Sequence, residues 1–547
     1  MPTLHWIGKD KVVSHHRDVP FRVLEHQYGF DGKGDKKETT QSGNKVIHGD
    51  NLEALKALLP EYEGKIKCIY IDPPYNTGSE NWVYNDNVNH PKIKKWLGEV
   101  VGKEGDDLSR HDKWLCMMYP RLKMLHQLLK EDGVIFISID DYEYHNLLGL
   151  VNEIFGVRNK LATLIWDLGS GTKAGHFTRA HEYVICFAKN KKGLPNFSGG
   201  EGIIDDRAIK KIGVKNPASE FTFPKGTKWE APNGFELTDK WGGNEVTELI
   251  SGKMICENGV LKESVTLKAG WTQKSQMESF FEGKETLDSK GQIVVEFYFR
   301  ENGKIYCRKE RSILNPPTVL KNIASTKTGS SELTEIIGSN KFDFPKSSKL
   351  IQELIGLVTK NSDYVLDSFA GTGTTAHAVL NLNKQDGGNR KFILVEMEDY
   401  ANTITAERVK RVIKGYGKDA KKTEGTGGSF DFYELGLPLF DPNENLNEAV
   451  GIEKIREYIW YSETRTPFIA PKSGNDNEHF LGSKDETAYY FVYDKNALTT
   501  LDYDALSSIK TKAGQYVIYA DNCLLPKEFM AKNNIIFKKI PRDITRF

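Results

Sequence analysis

Apolar positions along the chain follow two rhythms, separated by a region that has neither. "KVIHGD" (45–50) reads as a short strand ending at Asp50, and "NLEALKALL" (51–59) repeats its apolar residues at helical spacing. "IKCIYI" (66–71) is a second strand with no polar face. "WLCMMYPRLKMLHQLLK" (114–130) predicts a strong amphipathic helix with Gly133 at a helix-stop position. "VIFISI" (134–139) gives a third buried strand ending at Asp140, and "LATLIW" (161–166) and "YVICFA" (183–188) give two more. Strands without a polar face, alternating with helices, predict a mostly parallel sheet covered on both sides.

That rhythm stops near residue 191 and returns near 336. Between those points glycines are frequent, strands such as "IVVEFYF" (293–299) are shorter and alternating, and Trp229, Trp241 and Trp271 are scattered among Lys and Asn. The stretch is expected to be an inserted α+β module. The helix "SSKLIQELIGLV" (347–358), the strand "YVLDSF" (364–369), the turn "AGTGTT" (370–375) and the strand "KFILVEM" (391–397) resume the first pattern. "GYGKDAKKTEGTGGS" (415–429) is expected as a loop. Five segments follow: an arm or flexible lead-in over 1–44, core halves over 45–190 and 336–437, the insertion over 191–335, and a small C-terminal α/β unit over 438–547.

Composition narrows the class without naming a function. The 547 residues are 39% hydrophobic and 27% charged, as in ordinary globular proteins of several domains. No apolar run approaches the ~18 residues of a membrane helix, and no signal-peptide core is visible near the N-terminus; a cytoplasmic location is expected. Cys68, Cys116, Cys186, Cys256, Cys307 and Cys523 form no Cys-x-x-Cys pair, so neither a zinc site nor a disulfide framework is expected. Lys and Arg balance Asp and Glu at 75 each, which leaves room only for a local basic groove.

Two segments carry chemistry. Asp72-Pro73-Pro74-Tyr75 follows a buried strand, at the edge where parallel sheets bind ligands. An exocyclic ring amine is a poor nucleophile because its lone pair is delocalised. Two fixed acceptors, the Asp72 carboxylate and the Pro73 carbonyl, would localise that pair by taking a hydrogen bond from each N–H. Successive prolines fix φ and so hold the carbonyl in place. Tyr75 offers a ring on which an extruded base can stack. A rigid Pro-Pro turn beside a surface aspartate is the plainer alternative.

The second segment is Asp367-Ser368-Phe369-Ala370-Gly371-Thr372-Gly373-Thr374-Thr375. Glycines between strand and helix let backbone N–H groups approach an anion, here the carboxylate of a methionine moiety, near the positive helix end. A dinucleotide fingerprint would need a third glycine that is missing. Glu396 closes the next strand, where an acid can hold ribose hydroxyls or merely face solvent. Asp50 could accept from a cofactor's adenine amine or cap the helix starting at Asn51.

Together, Asp-Pro-Pro-Tyr and Phe369-x-Gly-x-Gly resemble the catalytic and cofactor motifs of amino-group DNA methyltransferases. Their order, catalytic motif first, insertion next and cofactor loop last, resembles the β group, whose sheet is a circular permutation cut between the strands ending at Glu396 and Asp50. The likeness extends through "HDKWLCMMYPRL", "GVIFISIDDYE", "HEYVICFAKN" and "FDFPKSSKL", covers residues 45–437, and is similar to the modification subunit of type III restriction–modification systems. It implies a Rossmann-like α/β fold that uses S-adenosylmethionine and no metal. Asp72, Pro73, Pro74 and Tyr75 would form the catalytic loop. Asp50, Asp72, Phe369, Ala370, Gly371, Gly373, Thr374, Thr375 and Glu396 would line the cofactor, with Lys346 and Ser347 near its methionine carboxylate; many relatives have Pro where Ser347 stands. The insertion would read duplex DNA, and a homodimer and a helicase–nuclease partner are implied. "KNKK" (189–192), "RAIKK" (207–211), "RKER" (308–311) and "HPKIKKW" (90–96) are candidate phosphate contacts or merely solvated basic surface. N4-cytosine methylation, an RNA or protein-amide substrate, and an idle DNA-recognition subunit stand as alternatives to adenine N6 methylation.

Overall fold

In the computed structural model, which describes residues 3–77, 110–174, 176–199, 202–311, 315–338, 342, 345–417, 422–471 and 478–547, the apolar runs pair into an eleven-stranded sheet. Its strands are β1 (Arg22–Phe30), β2 (Asp35–Lys36), β3 (Lys45–His48), β4 (Ile66–Ile71), β5 (Leu129–Ile139), β6 (Lys160–Ala174), β7 (Phe177–Ala188), β8 (Val319–Leu320), β9 (Tyr364–Asp367), β10 (Lys391–Glu396) and β11 (Phe430–Pro438). They lie in the order β8-β6-β7-β5-β4-β9-β10-β3-β11-β1-β2. From β5 to β11 every pairing is parallel. β7 is antiparallel to β5 and β6, and β1 is antiparallel to β11 and β2.

Helices α1 (Asn51–Tyr62), α2 (Arg110–Leu128), α3 (Tyr144–Phe155), α4 (Thr326–Ile337), α5 (Ser348–Val358), α6 (Thr374–Asp386), α7 (Glu407–Lys414) and α8 (Ile452–Thr464) accompany the sheet. All of β4 is buried, which explains its unbroken apolar run. α5 turns Leu350, Ile351, Leu354, Ile355 and Val358 inward at helical spacing. α2 stops at Leu128, so Gly133 is not a helix stop. It sits in an irregularity where β5 pairs with β4, and a Cβ there would meet the Ile66 and Lys130 carbonyls.

Residues 3–44 do not form a flexible arm. β1 pairs along β11, placing Phe30 opposite Phe430, and Phe21 packs on Tyr458 and Phe547. The polar stretch Asp31–Asn44 is tied down as well, because Asp431 accepts from the Thr40 backbone and hydroxyl and the Asn44 side chain bonds Ser429 and Phe392. Residues 415–429 pair Gly415–Tyr416 with Thr423–Glu424 in a small ribbon rather than forming only a loop.

Two compact units result, Met1–Pro195 with Thr318–Phe547, and Asn196–Pro317. The smaller unit is narrower than the 191–335 expected for the insertion, because β8 joins the large sheet and α4 belongs to the larger unit. It is mostly β, with two four-stranded sheets, one three-stranded sheet and one helix, Lys274–Phe281, among the described residues. Trp229 and Trp271 are core rather than scattered surface, packed with Phe223 and Phe299. The C-terminal segment is less separate than its sequence suggests. It keeps a core of its own around Tyr490 and Ile518, but α8 places Ile455, Tyr458 and Ile459 in the main core.

Because Phe30 is only 1% exposed between β11 and the Lys414 side chain, Phe30→Ala should cost about 3–5 kcal/mol. A lowered urea midpoint measures it, and an unchanged midpoint would restore the flexible-arm reading.

Candidate active site

β4 and β9 pair in parallel with Ile69 opposite Leu366, so the chain leaves both strands at one level. Asp72 follows β4 and the glycine turn follows β9. Asp72, Lys346, Phe369, Gly371 and Thr374 line one pocket, which encloses about 440 Å³ of empty space open to solvent.

The acidic turn is clamped from behind. Pro73 and Pro74 are buried, and the Trp114 indole of α2 donates to the Pro74 carbonyl at 2.7 Å. Asn76 ends the turn in a left-handed conformation (φ 59°), which Asn tolerates better than most residues. Its amide donates to the Arg110 carbonyl and to Glu143, a buried acid that also meets His111 and Asn146 at 2.7 Å each. Backbone order at Asp72 and Pro73 is therefore set by α2 and α3.

Lys346 is the cation of the site. Its side chain is 7% exposed, and its ammonium lies 3.1 Å from Asp72 Oδ2 and 3.3 Å from Glu182 Oε2. It also stands 4.7 Å above the Tyr75 ring, whose hydroxyl donates to Glu182 at 3.0 Å. Burial pushes the Asp72 carboxyl up, Lys346 opposes that and Glu182 adds to it, with the net shift upward. The flanking acids outweigh burial at Lys346 and hold it protonated.

The glycine turn is braced by side chains that face the protein. Asp367 accepts from the Phe369 backbone at 3.0 Å and from the Thr375 hydroxyl at 2.5 Å. Glu396 accepts from Gly371 N at 2.7 Å and Glu398 N at 3.0 Å. Burial is the main cause that lifts Asp367 to about 7 and Glu396 to about 8. Arg408 of α7 donates to the Thr372 and Thr374 hydroxyls at 2.8 and 2.7 Å. Gly373 has φ 78°, and a Cβ there would meet the Thr405 carbonyl at 3.0 Å, so both conformation and space require glycine.

The structure thus brings together most of the residues singled out from sequence, with different duties for several. Thr374 and Thr375 turn their hydroxyls onto Arg408 and Asp367, leaving backbone N–H groups for a ligand. Asp50 caps α1, accepting from Leu52 N at 2.8 Å and Glu53 N at 3.1 Å. Ser347 caps α5 by accepting from Lys349 N. Lys346 reaches Asp72 within the pocket that the glycine turn also lines. Glu182, Glu143, Asn76 and Arg408 were missed. Asn directly after Asp-Pro-Pro-Tyr, at the exit of a rigid turn, was the one readable signal among them.

Several basic runs are already engaged. Arg308 pairs with Asp205 and Glu296 at 3.1 Å, and Lys309 with Asp206 at 3.1 Å and Asp288 at 3.2 Å. Arg207 meets Glu245 at 3.2 Å, and Lys189 and Lys191 donate to backbone carbonyls. Spacing shows clusters of base, but not the acids that fold against them. "HPKIKKW" lies outside the described residues.

The fold is that of an α/β methyltransferase. A family model described as DNA methylase matches residues 66–463. The chain is 32% identical over 454 residues to the type III restriction-modification enzyme EcoPI Mod subunit of Escherichia phage P1, covering 75% of this chain and 68% of that one. It is 33% identical to the StyLTI Mod subunit of Salmonella typhimurium, covering 67% and 54% respectively. It is 30% identical to the EcoP15I Mod subunit of Escherichia coli, covering 73% and 64%. The matched stretches span from just over half to about two thirds of those relatives. The chain belongs to the DNA methylase family.

Glu396 sets a pH dependence. Its folded value of about 8 stands above its ordinary 4.5, so the folded state holds the proton more tightly. The stability this contributes is complete below 4.5 and is lost as pH rises through 8. Thermal midpoints recorded across that range should fall, and Glu396→Gln should flatten the slope; an equal slope in both proteins would contradict the assignment.

Proposed function

We propose that the chain transfers the methyl group of S-adenosylmethionine to the N6 amino group of an adenine turned out of duplex DNA. The observation that carries this is the single pocket shared by Asp72 and the glycine turn. The residues suit the cofactor. Gly371 adopts φ 52°, and a Cβ built on it would have nothing closer than Phe342 at 3.9 Å, so ligand and backbone can approach there. Phe369 supplies an apolar wall, and α6 points its N-terminus at the turn. Glu396 keeps acceptor capacity for hydroxyls, since each carboxylate oxygen takes more than one donor. Asp50 is committed to its cap and remains a weaker candidate for an adenine amine.

The bound cofactor supplies an activated methyl with its own leaving group. The chain's work is positioning. Asp72 and the Pro73 carbonyl each accept one N–H of the target amine, which localises its lone pair towards the methyl. The Pro74 carbonyl is already taken by Trp114, which fixes the turn that presents its neighbour. Tyr75, fixed through its hydroxyl by Glu182, provides the stacking face. Lys346 keeps Asp72 an acceptor by opposing the rise that burial causes. The surplus proton leaves after transfer.

The same reading takes the sheet as a circular permutation. In support, β10 and β3 are neighbours although one is late in the chain and the other early, and the catalytic strand β4 precedes the cofactor strand β9. The smaller unit, Asn196–Pro317, stands between them in sequence and is proposed to recognise the DNA bases. With several type III Mod subunits among its relatives, we read the chain as the modification subunit of a type III system. In that setting it would act as a homodimer with a helicase–nuclease partner. Among the described residues no helix is long and apolar enough to cross a membrane, and we place the protein in the cytoplasm.

Asp72→Ala should reduce methyl transfer by about 10³-fold or more while S-adenosylmethionine affinity, read by calorimetry, stays within a few-fold. Near-normal turnover in that variant would remove Asp72 from the chemistry. Nucleoside digestion of wild-type product should yield N6-methyladenine, and N4-methylcytosine in its place would redirect the substrate.

A further inference from the structure

We infer that Phe177 is a wedge that enters the DNA stack where the target base leaves it, an inference that rests on the base-extrusion reading above. β8 reaches β6 only at Ile165 and Trp166, and β5 ends against Tyr183 of β7. Beyond that level β6 and β7 pair only with each other among the described residues, Thr172 with Arg179 and Ala174 with Phe177. The hairpin therefore leaves the sheet as a two-stranded ribbon.

Its direction is fixed by register. β7 runs antiparallel to β5, so its early residues extend past the C-terminal ends of β5 and β4, the edge that carries Asp72. Glu182, which holds Lys346 and the Tyr75 hydroxyl, lies at the root of the ribbon. Phe177 stands further out along the same strand, about 17 Å from Glu182 at the rise of extended chain. One strand thus joins the catalytic pocket to the ribbon's tip.

Phe177 is 84% exposed, the most exposed aromatic ring among the described residues, ahead of Tyr503 at 57% and Tyr142 at 46%. No fold contact explains an apolar ring held in water at that place. Beside it Tyr142, Thr178, Arg179 and His181 line an open groove together with Asp141. Arg179 lies over the Tyr142 ring at 5.8 Å and pairs with the buried Asp140 at 3.1 Å.

Duplex DNA is the partner that such a ring fits. Turning a nucleotide out leaves two flanking pairs without stacking across the gap, and apolar side chains that insert between base steps restore contact there. A ring on a ribbon that also carries part of the catalytic pocket can fill that gap while the extruded base occupies the pocket.

The test compares the full chain with F177A and F177W on a duplex carrying the motif found methylated in genomic DNA exposed to the wild-type protein. The duplex is used matched and with a mismatch at the target adenine, and transfer of labelled methyl from S-adenosylmethionine is followed. F177A should lower kcat/KM on the matched duplex roughly 10- to 100-fold, as loss of one base–aromatic stack does. A mismatch makes extrusion easier and should recover most of that loss. F177W should retain activity, and cofactor affinity should be unchanged in both variants. Equal activity of F177A and wild type on matched DNA would overturn the wedge, as would an equal loss on both duplexes. A changed oligomeric state by light scattering with methylation intact would make Phe177 a protein contact instead. If the wild-type protein methylates no DNA, the parent reading fails and the wedge falls with it.

Discussion

The pairing of β4 with β9 is the constraint on which the site depends. These strands come from the two separate stretches of the larger unit's sequence, and their parallel register alone puts Asp72 and Phe369 at one height. Parallel pairing demands crossovers that cover both faces, hence strands with no polar side and a buried Ile66–Ile71. Slipping the pair by one residue would turn every side chain of β4 to the opposite face. It would also carry Asp72 away from the glycine turn, so fold stability and active-site geometry are set by the same contacts.

Three buried cations brace what the sheet brings together. Lys346 ties Asp72 to Glu182. Arg408 holds Thr372 and Thr374 from behind and reaches Glu332 of α4, whose carboxylate also accepts from Ser348 N at the start of α5. Arg121 bonds Asn51, and the Asn51 amide donates to the Ser368 carbonyl. A buried charge without its partners is costly, about 3–5 kcal/mol when one member is removed, so each network has few alternative arrangements. The turns are thereby rigid before any ligand arrives, the condition for acceptors to act without reorganising.

The sequence made the sheet core legible because burial on both faces leaves an unmistakable run of apolar residues, as in "IKCIYI". Motif residues were legible because their backbone demands are local, two prolines at one turn and two glycines at the other. Residues Arg22–Phe30 were misjudged, since the alternating polar positions of an antiparallel strand near the sheet's edge look like surface chain and its main partner, β11, lies far along the sequence. The outer half of the β6–β7 hairpin went unseen for a related reason. Gly169, Gly171, Phe177 and Thr178 are exposed there, so "FTRA" carries no burial signal although the hairpin is paired. Side-chain partners across the pocket were beyond reach as well. Nothing in "HEYVICF" says that Glu182 will meet a lysine from the far side of the insertion.

That lysine gives the pocket its electrostatic logic. At Asp72 it presents an N–H donor, and over Tyr75 it presents positive charge, which is the pair of contacts a stacked amine bearing a hydrogen would make. The amine of adenine, the substrate proposed for this pocket, is neutral, however, and cannot offset the burial that pushes the Asp72 carboxyl up. An acceptor that became protonated would offer a donor where the reaction needs a lone pair. Glu182 resolves the conflict. With a second carboxylate within reach at 3.3 Å, the ammonium can yield its direct bond to Asp72 and remain in the pocket, where its charge still acts across a short, poorly solvated distance.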